Sequence, residues 1–563
     1  MLNRFLSKSF TLKRYGKKRN LKANEPDWGS ILNNKTQDPN SWPSALTSEK
    51  THRVLIATSV GAYLPGILIE SLLAAALTLR HAEVHLLLCD SALDACFYCS
   101  ADATLSANEL AQGKIRTKLC RHCVEYGTRV FGPMGLTLHR YSDYLSKTIE
   151  CDMPPDVEAL IDEMDANALK QVSIDGVSIG EHALAGALRF FARGTLEGEP
   201  HGKAVLRRYL NAALTTATAM ETLLTRHAFD CVVFHHGIYI PMGIIGEVCR
   251  KHGVRVVNWN PAYRRQCFIF SHHHSYHHTL LDEPVDTWQH MPWNSERERE
   301  IMDYLQSRWQ GTRDWIWFHE NPEEDLERIA RETGVDFSKP VIGLLTNVVW
   351  DAQLHFKTNV FPDMLTWVIR TIDYFAKRPD VQLLIRIHPA EIRGTLKSRQ
   401  PLLTEIQTVF PDIPSNVHII PPESPISTYA AMMACDSVII YGTKTGVELT
   451  SMGIPVIVGG EAWIRNKGLT IDAASPEDYL RQLDRLPLGK RMDPETVQSA
   501  RKYAYHFFFR RMIPLTGIQA TDGWPPYRLG ISSLDQLRPG VDPGLDLICR
   551  GILENEPFVF DHS

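Results

Sequence analysis

The sequence predicts an α/β protein built on two doubly wound parallel sheets, and three observations predict it. Apolar strand runs alternate with helical stretches in two separate series, one from Arg53 and one from Val341. The length of 563 residues is more than one hydrophobic core organises. Polar, glycine-bearing turns follow the strand runs of the second series, where open parallel sheets bind ligands.

Residues 1–50 read as a basic tail. Arg4, Lys8, Lys13, Arg14, Lys17, Lys18, Arg19 and Lys22 fall within the first 22 residues without a single acid. Such a segment is either solvated or in weak peripheral contact with anionic lipid. Residues 51–290 form the N-terminal domain. It opens with the strand "RVLIATS", the helix "ILIESLLAAALTLRHA" and the strand "EVHLLLCD", followed by a cysteine-rich insertion over 89–123. Two helical segments follow, and then "FDCVVFHHGIYIPMGIIGEVCRKHGVRVVNW" supplies a second strand–helix–strand unit with Gly253 as the helix stop. Residues 291–340, rich in Trp, Glu and Arg and punctuated by Pro322 and Pro340, read as a hinge region. The second series fills 341–490, and 491–563 is expected to cross back onto the first domain.

Composition narrows the function classes. Hydrophobic content of 44% and charged content of 22% are ordinary globular values. A net charge of −5 argues against a nucleic-acid partner, which needs concentrated Lys and Arg. The longest apolar stretch, Gly61 to Thr78, contains Pro65 and Glu70 and falls short of the roughly 20 residues of a membrane span. It reads as a buried helix. With no charged-then-apolar leader, the expected location is cytoplasmic, at most peripheral on the inner face of the membrane through the basic tail.

Five of the eleven cysteines cluster. Cys96-x2-Cys99 and Cys120-x2-Cys123, preceded by Cys89, have the spacing of a four-thiolate metal site. Lys118, Arg121 and His122 stand where they favour thiolates. A structural zinc held by Cys96, Cys99, Cys120 and Cys123 is the first reading. An iron–sulfur cluster is the alternative, and a metal-free redox pair or ordinary buried thiols the third. Cys89, at a strand end, is the least secure member. A closed site leaves no position for water, so no catalytic metal is expected.

In the second series, "TNVVWDAQ" (Thr346 to Gln353), "RIHPAE" (Arg386 to Glu391) and "YGTKTGVE" (Tyr441 to Glu448) each follow a strand run. Thr443, Lys444 and Thr445 offer N–H donors, hydroxyls and one cation to phosphate oxygens, and Glu448 is placed to accept from ribose hydroxyls. His388, just before Pro389, suits a phosphate or a base, and Arg386, Asn347 and Asp351 complete the donor-side set. Each residue also has a structural reading: Gly442 and Gly446 turn the chain, Arg386 pairs with an acid, and His388 satisfies a buried carbonyl.

These three segments resemble the capsule polysaccharide biosynthesis family, which includes Kdo transferases, over roughly Val341 to Gly468. The resemblance implies two facing Rossmann-like domains of the GT-B architecture, and it carries over His388, Pro389, Thr443, Thr445 and Glu448 as contacts to a nucleotide-sugar donor. Tyr441-Gly442-Thr443 stands where the family more usually has a serine, and Lys444 is an additional cation.

An inverting transfer needs a base for the acceptor hydroxyl and groups that neutralise the leaving phosphate. His236, beside His235 and before Gly237, is the favoured base. Glu181, with Asp175 as neighbour, is the second, with helix capping as its structural reading. "SHHHSYHH" (Ser271 to His278) reads as a solvated or interface strand, with His272 and His274 on one face as an accidental metal site. The expected function is a glycosyltransferase, probed against the alternatives of a sugar-nucleotide epimerase and a non-catalytic nucleotide-sugar-binding scaffold. Its expected partners are a nucleotide sugar and a polysaccharide or glycolipid acceptor.

Overall fold

Strand runs with no polar face demand cover on both sides, and the strands pair accordingly. The protein is described from a computed structural model covering residues 25–32, 41–102, 104–146, 153–309, 313–315, 322–351, 353–521 and 525–561. The basic residues from Arg4 to Lys22 lie outside the described residues.

The chain divides into two compact units. Unit 1 comprises 1–191, 196–276 and 513–560; unit 2 comprises 192–195, 277–512 and 561–563. In unit 1, β1 (His52–Ser59), β2 (Ala82–Leu88), β3 (Thr137–Arg140), β6 (Cys231–His235), β7 (Arg255–Pro261) and β8 (Cys267–His272) form one sheet; β4 (Ser173–Ile174) and β5 (Val177–Ser178) make a separate hairpin. The order is β3-β2-β1-β6-β7-β8, parallel as far as β7, with β8 antiparallel to it. The helix Leu64–Thr78 is buried along its whole length, Glu70 included, because it follows β1 and covers the sheet.

In unit 2, β9 (Val341–Leu345), β10 (Gln382–Arg386), β11 (Val417–Ile420), β12 (Ser437–Ile440), β13 (Val456–Val458) and β14 (Ile471–Asp472) run parallel in the order β11-β10-β9-β12-β13-β14. Its core gathers Trp367, Phe375, Tyr441 and Tyr479 against the sheet. The chain then returns to unit 1 with β15 (Ile513–Pro514), antiparallel to β8, and the hairpin β16 (Ile518–Ala520) and β17 (Tyr527–Leu529).

Both sheets reverse their order of assembly beside the first strand, between β1 and β6 in unit 1 and between β9 and β12 in unit 2. Loops leaving the carboxyl ends of such a pair diverge to opposite faces and leave a crevice.

The unit boundary differs from the expected one. The described part of 291–340 belongs to unit 2, because the helix Ser295–Trp309 packs on the helix Pro494–Tyr505, with Arg501 paired to Glu298. Among the described residues no helix is long and apolar enough to cross a membrane.

Candidate functional site

Unit 2 closes its reversal point with one side chain. Asn347, two residues beyond β9, accepts through Oδ1 from the Gly442 N–H beyond β12, at 3.3 Å. Thr346 Oγ1 accepts from the His388 N–H at 3.0 Å, which adds the loop after β10. Three strand ends are thereby joined, bringing Asn347, His388 and Thr443 to one edge of the sheet. The Ala390 N–H donates to His388 Nδ1 at 3.0 Å, so the neutral ring carries its proton on Nε2. Pro389 caps the short helix Ala390–Arg393. The Thr443 and Thr445 hydroxyls lie 3.1 Å apart at the start of the next helix, Thr445–Ser451.

The remaining donor-side candidates have internal partners. Arg386 is 1% exposed, and its guanidinium donates to the carbonyls of Pro421 and Ser424, tying down the loop after β11. Burial, with Arg393 adding to it, lowers its pKa to about 10. Asp351 is exposed. Glu448 is buried, and its carboxylate receives Arg308 at 3.2 Å, Lys444 at 3.1 Å and the Tyr429 hydroxyl at 2.5 Å. Burial works against its ionisation, but Arg308 and Lys444 overcome that and hold it at about 2. Arg308 also meets Asp314, which accepts from the Tyr304 hydroxyl at 2.8 Å. Glu448 therefore spends its acceptor capacity on two cations and a phenol, and Lys444 is bound to an acid one turn away.

Arg308 and Asp314 lie in the segment read as a hinge, and nothing local marks them except aromatic neighbours Tyr304 and Trp309. A second cluster also escapes sequence reading. After β13, Glu461 accepts from the Thr358 N–H and hydroxyl and from His277 Nε2 at 3.1 Å, while Trp463 Nε1 donates to His277 Nδ1 at 3.0 Å. Both nitrogens of His277 are engaged, so it orients the Glu461 loop and is no base. Within unit 1, His272 stacks on Phe558 and bonds the Glu556 carbonyl. The histidine-rich segment is thus used for packing.

In unit 1 the reversal point is bounded by Ser59 to Gly61 after β1 and by His235 to Gly237 after β6. His235 is buried against Trp259 and Tyr63, and burial takes its pKa down to about 3. His236 is half-buried with φ of 67°, its ring 4.9 Å from that of Tyr239 and 6.0 Å from Phe97. Gly237 follows at φ of 80°, where a Cβ would come within 2.8 Å of Asn258 Nδ2. Arg189 lies over the Phe97 and Tyr239 rings, and His182 bonds the Ile238 carbonyl, so the helix Gly180–Phe191 braces this loop.

Glu181 is half-buried in the first turn of that helix. Asp175 is exposed at the tip of the β4–β5 hairpin, with Gly176 at φ of 77° after it. An Asp-Gly pair at positive φ is what a two-residue hairpin requires, so Asp175 shapes a turn. Glu70 was not among the sequence candidates. It sits below the reversal point, accepts from Trp259 Nε1 at 3.1 Å and from the His235 N–H, and burial pushes it up to about 7. Its only sequence signal is a lone acid in an apolar helix.

The cysteines regroup. Cys89, Cys96, Cys120 and Cys123 line one cavity, and Cys99 is not among its lining residues. Cys99 Sγ accepts from the Cys96 N–H at 3.3 Å, and the Tyr209 hydroxyl donates to the Cys96 carbonyl. Lys118 is paired with Glu109 and Arg121 with Glu125, so neither expected cation attends the sulfurs. Burial pushes the Cys89 thiol up to about 11 and the Cys123 thiol to about 12. Among the described residues no three His, Cys, Asp or Glu side chains converge to hold a single metal ion.

No family model matches the chain, and no curated protein matches it. Solved structures with a similar course of chain include a Thermosulfurimonas dismutans KpsC, a beta Kdo 2,4 transferase. It is 13% identical, covering 49% of this chain and 79% of that one at a TM-score of 0.32. The UDP-GlcNAc 2-epimerase of Neisseria meningitidis, bound to UDP-GlcNAc, is 11% identical over 80% of this chain and 94% of its own, at 0.27. The spinosyn rhamnosyltransferase SpnG, complexed with spinosyn aglycone, is 10% identical over 81% and 97%, at 0.25.

Proposed function

We propose that this protein is a glycosyltransferase of the GT-B type that moves a sugar from a nucleotide-sugar donor to a surface polysaccharide or glycolipid acceptor. The observation that carries the reading is the Asn347–Gly442 hydrogen bond at the reversal point of unit 2. Together with the Thr346–His388 bond it holds three polar strand-end loops at one edge, where parallel α/β sheets take nucleotides.

In this reading the Gly442 to Thr445 turn and the His388 Nε2–H supply neutral donors for the donor phosphates. The sugar and base contacts come from the Thr346–Asn347 loop. Lys444 does not meet phosphate as a lone cation; it acts within the Arg308–Glu448–Asp314 cluster, where two cations face two carboxylates and fix the turn. The leaving diphosphate or monophosphate is stabilised by donors already in place, which costs little reorganisation when charge develops.

His236 is the base that takes the acceptor hydroxyl proton as the hydroxyl oxygen attacks the anomeric carbon and the bond to phosphate breaks. An imidazole is a side chain able to accept that proton. A direct attack assisted by that base implies inversion; metal-independent chemistry is a separate part of the proposal.

The test is a thermal-shift screen of nucleotides and nucleotide sugars, followed by turnover of the hits with and without acceptor glycans. Stabilisation by a nucleotide sugar, and nucleotide release only with acceptor, is the expected result. Interconversion of the sugar without acceptor would make the protein an epimerase, and binding without turnover a scaffold.

A further inference from the structure

Four thiols from separate elements meet at the carboxyl edge of the unit 1 sheet. Cys89 follows β2, Cys96 opens the short turn Phe97–Ser100, Cys120 ends the π-helical turn Arg116–Cys120, and Cys123 lies in the first turn of the helix Arg121–Phe131. They share one cavity, walled otherwise mainly by Val60, Leu93, Ile115 and Leu119.

Backbone amides are aimed at the sulfurs. The Ala62 N–H reaches Cys123 Sγ at 3.3 Å. The Cys99 N–H is directed at the Cys96 sulfur. A neutral thiol is a poor acceptor and does not need such donors. A metal-bound thiolate is stabilised and tuned by such bonds. The approach is built in: a Cβ on Gly61 would stand 2.5 Å from the Cys123 carbonyl and 3.0 Å from Gly127 Cα, so the helix carrying Cys123 is seated directly on the loop after β1. None of the four is in a disulfide.

Zinc–sulfur bonds of about 2.3 Å hold four thiolates close around one atom. Among the described residues no three His, Cys, Asp or Glu side chains are placed to hold a metal ion, while Cys89, Cys96, Cys120 and Cys123 line one apolar cavity. A polynuclear cluster spreads its four ligands around several metal atoms.

We propose that Cys89, Cys96, Cys120 and Cys123 ligate an iron–sulfur cluster, with Cys99 outside the ligand set. The site is independent of the glycosyltransferase reading.

The test uses untagged full-length protein, purified without oxygen and reconstituted with iron, sulfide and a thiol reductant. Iron and acid-labile sulfide in equal amounts, with a visible absorption that bleaches in air, is the expected result. Cys89→Ser should lose most of the iron and Cys99→Ser should retain it. The wild-type analysis stands even if a variant fails to fold. One equivalent of zinc without labile sulfide, loss of iron in Cys99→Ser but not in Cys89→Ser, or no bound metal after reconstitution would each overturn the assignment.

Discussion

Replacing Glu70 by glutamine should flatten the pH dependence of unit 1 stability. The folded carboxyl has its pKa raised from the ordinary 4.5 to about 7 by burial, so between those values the folded state binds more proton than the unfolded state. Stability conferred by the protonated form is present in full below 4.5 and is lost as pH rises toward 7 and above. At about 1.4 kcal/mol per pH unit, that displacement is worth about 3 kcal/mol. Glutamine keeps an acceptor for Trp259 Nε1 and the His235 N–H but has no proton to lose. Its buried amide hydrogens cost about 1–3 kcal/mol at every pH. Glu70→Gln should therefore be less stable than wild type near pH 5 and gain on it by about 3 kcal/mol by pH 8. Unfolding midpoints of both proteins by calorimetry at matched pH give the difference directly. Parallel profiles across the range would show that the buried carboxyl does not titrate as its surroundings require.

Four further outcomes follow from the same geometry. Arg308→Met leaves Glu448 and Asp314 buried with only Lys444 opposite them and should cost unit 2 about 3–5 kcal/mol, measured by denaturant unfolding. His236→Asn, which tolerates the left-handed backbone, should cut turnover about 10²–10⁴-fold while nucleotide affinity in titration calorimetry stays unchanged. Asn347→Ala unpairs the Gly442 N–H and should weaken nucleotide binding about 10-fold in the same assay. Gly61→Ala forces the Cys123 helix away and should cost about 1–3 kcal/mol in thermal unfolding, with faster loss of any bound iron.

The strand runs were legible because parallel strands covered on both faces carry an unbroken apolar centre, as in Val54–Ala57 of β1 and Val438–Ile440 of β12. Thr346, Asn347, His388 and Thr443 were legible as strand-end polar residues for the complementary reason: a polar cluster after a buried strand has to emerge at the sheet edge. Arg308 was hidden because its partners Glu448 and Asp314 lie 140 residues downstream and on an adjacent loop, and helix periodicity says nothing of either. Spacing alone does not show that Cys89, and not Cys99, lines the cavity with Cys96, Cys120 and Cys123. Two cysteines three apart look equivalent in sequence, but the turn Phe97–Ser100 uses Cys99 as a cap while the end of β2 carries Cys89 to the cavity.

The order of residues by itself determined two α/β series and the polar turns that end their strands, because burial pattern and turn chemistry are local properties. Which turns are neighbours depends on strand order, and strand order is set by packing over the whole sheet. Only that placed Asn347 against Gly442, spent Glu448 on Arg308, and brought Cys89 to Cys123.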